Sequence, residues 1–242
     1  MLEPAAPTAP RAWCVIDIET QPPGSPEEIW AEIHRTWRPA KSWKTATIGD
    51  RYQQALDKAR DRGALLDCAE IVVVSVMSPC ELFVLHCLAE GPPRLLNGAT
   101  VQGFASCAEM LLVLRCWLAA HVDPDTTIIG HNLRFDLNKL RLGYARQALR
   151  LPESLTAPDQ STCCTMDLFT RRFSLSENKF ISVADACEMV GIEHHKDTLD
   201  GSQIQAMIEA GEIDAILNYA ALDAALEASL WLRLTGQGLG LK

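Results

Sequence analysis

Residues 13–20 read WCVIDIET, and this stretch decides the fold. Four apolar residues run without a turn signal into Asp17-Ile18-Glu19, the pattern of a buried strand that emerges into acid at its end. Residues i and i+2 of a strand share a face, so Asp17 and Glu19 stand side by side. Like charges so placed disfavour ionisation unless a cation intervenes. Magnesium or manganese, which take oxygen ligands, would remove that cost. A strand that simply ends in polar residues reads the same way, so the pair alone assigns no function.

Two later stretches add acids in suggestive places. Residues 126–130 read as a short strand that runs out at Gly130, and HNLRFDLNKLR then starts a helix, with Asn132 at its cap and Asp136 in its first turns. Sites in open α/β sheets lie at such strand-to-helix crossings. A plain N-cap and an acid near the positive helix end give the same pattern. Further on, Tyr219 and Asp223 are four residues apart in the longest helical pattern, so phenol and carboxylate share a face. Ala220, Ala221, Ala224 and Ala225 surround them, which lets the helix approach a sheet closely. An acid in such a helix needs a partner.

Taken in order, DxE on the first strand, NxxxD after a later strand and YxxxD on a late helix resemble the DEDD superfamily of 3′-5′ exonucleases, in its tyrosine-type branch. The likeness is greatest to the exonuclease domain of family-B DNA polymerases and runs from about Trp13 to Leu234. IVVVSV, CTMDL and KDTLDG agree with it. Position 218, where a histidine-type member would carry its His, is Asn218. The resemblance implies an RNase H-like α/β fold, a five-stranded mixed sheet flanked by helices. It implies that Asp17, Glu19, Asp136 and Asp223 bind two Mg2+ or Mn2+ ions: Asp17 bridging, Glu19 and Asp223 on the first, Asp136 on the second. Tyr219 would orient the attacking water, and Thr20 and Asn132 would contact the terminal nucleotide. The implied activity is removal of 5′-mononucleotides from the 3′ end of nucleic acid, single-stranded DNA favoured. A catalytically weak nucleic-acid-binding subunit and an RNA-trimming exoribonuclease are the alternatives. His131, His194 and His195 show no ligand spacing, and Asp167 reads as a cap at the end of a strand.

Composition sets the outer bounds. The chain has 242 residues, 48% apolar and 22% charged, as one globular α/β domain would. No run reaches the ~18 to 20 apolar residues of a membrane span, and the N-terminus lacks a signal-peptide pattern. The nine cysteines include no CxxC pair, and Cys14, Cys107, Cys116 and Cys187 lie in apolar segments. They read as reduced core thiols of a cytoplasmic protein. A net charge of −9 argues against a broad phosphate-binding surface. The charge is uneven, however. Residues 35–62 hold eight Lys/Arg and three Asp/Glu, residues 134–150 five and one, and residues 185–227 ten acids against Lys196. The first two stretches suit a polyanion, and an enzyme gripping only terminal nucleotides needs few phosphate contacts.

The predicted organisation is a flexible tail at 1–11, one domain over 12–235 with a helical insertion at 25–66, and a flexible tail at 236–242. Ser25-Pro26, Ser106 with Glu109, Ser182 with Asp185, and Ser202 with Gln205 are the predicted helix starts. Residues 70–78 and 81–88 are predicted to form a hairpin, and residues 161–168 a strand.

Overall fold

The computed structural model describes residues 12–61, 63–175, 180–193 and 203–237. One mixed sheet contains β1 (Trp13–Gln21), β2 (Glu70–Met77), β3 (Leu82–His86), β4 (Gly91–Leu96), β5 (Ala99–Gly103), β6 (Thr127–Gly130) and β7 (Thr162–Cys164). Their order is β4-β5-β3-β2-β1-β6-β7, so the strand that carries the DxE pair is interior. β1 runs antiparallel to β2 and parallel to β6, and β2–β3 is the predicted hairpin.

Seven strands replace the expected five. The extra pair, β4 and β5, turns at Asn97-Gly98, whose φ angles of 47° and 89° suit the tight hairpin turn that these residue types favour. Pro92 and Pro93 obscure β4 in the sequence. At the sheet edge a missing backbone donor costs little. The strand expected at 161–168 shrinks to three residues, and α5 (Thr165–Arg172) begins at once. Asp167 therefore sits exposed in the first turn of a helix, where an acid complements the helix dipole.

The alternation of β1 sorts its side chains between two helical layers. Cys14, Ile16 and Ile18 face α3 (Cys107–His121) and α4 (Leu133–Arg146) through Leu111, Leu114, Leu133 and Leu140. Trp13 and Val15 face α8 (Ile213–Thr235) through Ala224, Ala228 and Trp231. Asp17 and Glu19 continue this second set. α7 (Ile204–Ala210) joins α8 over β2, β3 and β5, while α5 and α6 (Val183–Met189) pack against α8 through Phe169, Cys187, Leu226 and Leu230. The caps at Ser25, Ser106 and Ser182 form as predicted, accepting the N–H of Glu27, Glu109 and Asp185 at 3.2, 3.2 and 3.1 Å. Ser202 and the KDTLDG phrase lie outside the described residues, as do 1–11 and 238–242.

Between β1 and β2 lie α1 (Pro26–Thr36) and α2 (Thr45–Asp61), within the insertion. Its return to the sheet is pinned by polar contacts that are mostly part-buried. Glu32 accepts the N–H of Asp67 at 2.9 Å and of Cys68 at 2.6 Å. Lys139 donates to the Leu66 carbonyl, and Arg146 to the carbonyls of Asp67 and Ala69. Arg141 donates to the Leu155 carbonyl at 2.9 and 3.2 Å. Three of the five cations in 134–150 thus donate to backbone carbonyls, while Arg134 and Arg150 are exposed. None of the nine cysteines is in a disulfide. Cys14 and Cys187 are buried as expected, Cys107 is half-buried, and Cys116 is exposed on α3. Among the described residues, no helix is long and apolar enough to cross a membrane.

Gly130 sets the angle between β6 and α4. A Cβ there would stand 2.7 Å from Leu133 Cδ1 and 3.1 Å from the Ile16 carbonyl oxygen. Gly130→Ala should destabilise the fold by about 1–3 kcal/mol, the usual cost of overpacking. At ~2–4 °C per kcal/mol a thermal melt should read this as a drop of at least a few degrees. An unchanged melting temperature would show that α4 does not depend on this close approach.

Candidate active site

β1 delivers the first two acids toward α8. Asp17 is half-buried and Glu19 only 8% exposed. Opposite them, buried Ala220, Ala224 and Ala228 let α8 lie close to the sheet. Tyr219 and Asp223 occupy the same part of that helix, one turn apart. The Tyr219 phenol donates to the Asp223 carboxylate and also lies within the influence of Glu19 and Asp17. Burial, then these three negative charges, push its pKa far above the ordinary phenol range. Both effects favour the protonated phenol that donates to Asp223.

Asp136 arrives from the other helical layer around an open strand edge. β1 outruns β6, whose last residue with a β1 partner is Ile129, opposite Val15. Beyond that point Asp136 reaches from the first turn of α4 and accepts the Ile18 backbone N–H. It is 4% exposed. Burial and the adjacent Asp17 charge raise its pKa well above the usual carboxylate range. Asp17, Glu19, Asp136, Tyr219 and Asp223, drawn from three distant parts of the chain, thus share one neighbourhood.

The other site candidates fare differently. Asn132 sits at the cap of α4 with φ 62°, a left-handed conformation that Asn tolerates, and its side chain makes no capping bond. Thr20 is buried and its hydroxyl donates to the Ala64 carbonyl at 2.7 Å. That bond ties the insertion's return to β1 and leaves the hydroxyl oxygen its acceptor lone pairs. The His131 ring lies between Thr165 Oγ1 at 2.9 Å and the Ile181 carbonyl at 2.7 Å, a structural clamp. Asn218 accepts from Asn97 at 2.8 Å, which fastens the β4–β5 turn to α8. His194 and His195 lie outside the described residues.

One acid escaped the motif reading. Glu227, one turn beyond Asp223, is 2% exposed and accepts the His131 backbone N–H. Burial raises its pKa, as do the charges of Asp17, Asp136 and Asp223. The signal was present as Tyr219, Asp223 and Glu227 at i, i+4 and i+8 of one helix. An all-oxygen, strongly negative donor set that includes a buried unsatisfied oxygen, Glu227 Oε2, fits a hard divalent cation. Among the described residues no three His, Cys, Asp or Glu side chains already stand at ligand spacing.

The protonation of this cluster has a measurable consequence. Asp136 and Glu227 have raised pKa values, so without metal the folded protein holds protons that the unfolded chain releases. Their contribution to stability is present below the unfolded carboxylate range and is lost as pH rises through the raised folded values. In EDTA, the urea midpoint should fall as pH rises above the ordinary carboxylate range, and Asp136→Asn should flatten that fall. A midpoint that climbs with pH there in wild type would contradict the protonated cluster.

A cavity of about 730 Å3 lies elsewhere, between α3 and residues 150–160, lined by charges of both signs including Arg115, Arg150, Asp123 and Glu153. Compared with known proteins, the chain matches no family model and no curated protein.

Proposed function

We propose that this chain is a metal-dependent 3′-5′ exonuclease that releases 5′-mononucleotides from nucleic-acid 3′ ends, with single-stranded DNA favoured. The observation that carries the reading is the meeting of Asp17, Glu19, Asp136, Tyr219 and Asp223 at the open edge of β1. An RNase H-like core is consistent with β3-β2-β1-β6-β7, five contiguous strands of mixed direction with helices on both faces, extended by the β4–β5 hairpin.

Asp17, Glu19 and Asp223 would hold one divalent cation, and Asp17 with Asp136 a second. Such a pair supplies a hydroxide nucleophile and stabilises the leaving oxygen in an in-line displacement. The protein's own groups do the positioning. Tyr219 fixes the Asp223 carboxylate through its hydroxyl proton and leaves its oxygen lone pairs to align a water. Burial of Glu19, Asp136 and Asp223 lowers the local dielectric and strengthens every charge interaction there.

The insertion supports a strand as substrate over a small phosphate. It leaves β1 just after Thr20 and returns beside it at Ala64. Residues 35–52 hold five Lys/Arg against Asp50 alone. Trp37 stacks edge-on to Tyr52 at 5.0 Å and lies 6.2 Å from Trp43, with the Arg51 guanidinium 5.8 Å over the Trp43 ring. Trp43 is 36% exposed. Exposed rings among cations are what single-stranded bases stack on.

Single-turnover cleavage of 5′-labelled oligonucleotides with magnesium or manganese tests the reaction. Wild type should shorten the strand stepwise from its 3′ end, and Asp17→Asn should lose activity together with metal binding. Tyr219→Phe should keep its metals and slow by the ~10²-fold of a lost positioning contact, with little change in affinity. Full activity in Asp17→Asn would refute the reading. Trp43→Ala should weaken single-strand binding by about 1–3 kcal/mol if one base stacks there, measured by fluorescence anisotropy. Unchanged affinity would remove the insertion from the binding surface.

A further inference from the structure

We propose that Glu227 is a fifth carboxylate of the cation centre, a ligand of the ion shared by Asp17 and Asp136. The inference rests on the exonuclease reading and extends it to a residue outside the DxE, NxxxD and YxxxD motifs.

Three observations carry it. First, Glu227 is 2% exposed on a helix whose neighbouring Ala224 and Ala228 pack tightly against β1, which denies the side chain an outward path. Second, its two oxygens are treated unequally. One accepts the His131 N–H, and His131 is itself held by Thr165 and Ile181. The other, Oε2, is buried without any hydrogen-bond partner. An unsatisfied buried carboxylate oxygen is costly. A proton removes the charge in the metal-free protein, and a divalent cation satisfies Oε2 directly while leaving the carboxylate ionised.

Third, Glu227 accepts the N–H of His131, which lies at the β6–α4 junction from which Asp136 also reaches toward Asp17. That contact places Glu227 on the Asp136 side. The first ion has three carboxylates from the motifs, and the second has only Asp17 and Asp136. Glu227 gives the second ion a third protein carboxylate, so that both ions are held by comparable sets.

Manganese titration of the full chain tests this, followed by calorimetry and by the electron paramagnetic resonance of free Mn2+. Wild type should bind two ions. Glu227→Gln should keep one at wild-type affinity and bind the other about 10- to 100-fold more weakly, the scale seen when carboxylates supporting a metal site are lost. Glu227→Met, of similar length and uncharged, should behave alike and serves if the glutamine variant does not fold. Asp17→Asn should lose both ions. Two ions bound at wild-type affinity in the Glu227 variants, with loss in Asp17→Asn, would overturn the role of Glu227 and leave the exonuclease centre standing. No manganese bound by wild type would overturn both.

Discussion

Repulsion among carboxylates at the end of β1 is the constraint around which the molecule is organised. Asp17, Glu19, Asp136, Asp223 and Glu227 are brought together where solvent screening is weak, and the cluster raises the pKa of its most buried members. Such an arrangement opposes folding unless protons or cations offset it. The surrounding structure has to be stiff enough to hold the groups in place regardless. An interior strand, a helix entering at a glycine where no Cβ fits, and a second helix brought close by three alanines provide that stiffness.

The outer elements position the inner ones. α8 carries Tyr219, Asp223 and Glu227, so its placement over β1 decides the geometry of the site. Its N-terminal half is fixed by the β4–β5 hairpin, through apolar packing of Val101 against the α7–α8 layer, the Asn97–Asn218 bond and the Arg94–Asp214 pair. The exposed ion pair adds little by itself, and the packing dominates. The C-terminal half is held by α5 and α6 through Phe169, Cys187 and Leu230. His131 links this flank back to the site, since its ring bonds to Thr165 and Ile181 while its N–H serves Glu227.

The insertion shows how charge in a sequence divides between structure and binding. Lys139 and Arg146, on α4, are used to secure its return, and buried Glu32 does the same from α1. Lys139 is also pushed below its ordinary pKa, chiefly by burial. Among the cations at 35–51, Arg51 instead lies over the exposed Trp43 ring. Counting lysines and arginines along the chain treats both groups alike, and only the carbonyls they meet tell them apart.

What the sequence determined by itself were features whose physics is local. The alternation of WCVIDIE set Asp17 and Glu19 on one face. Ser25, Ser106 and Ser182 marked helix starts because a side-chain oxygen caps its own neighbours. The four-residue spacing put Tyr219 beside Asp223. What only the tertiary structure decided were outcomes that depend on distant segments. Thr20 donates its hydroxyl proton to Ala64, Arg141 and Arg146 turn to carbonyls, Pro-rich residues 91–96 become an edge strand, and Glu227 faces Asp17 across the gap between helix and sheet. Those results follow from burial, which leaves each polar group the partners that the packed chain happens to bring within hydrogen-bond reach.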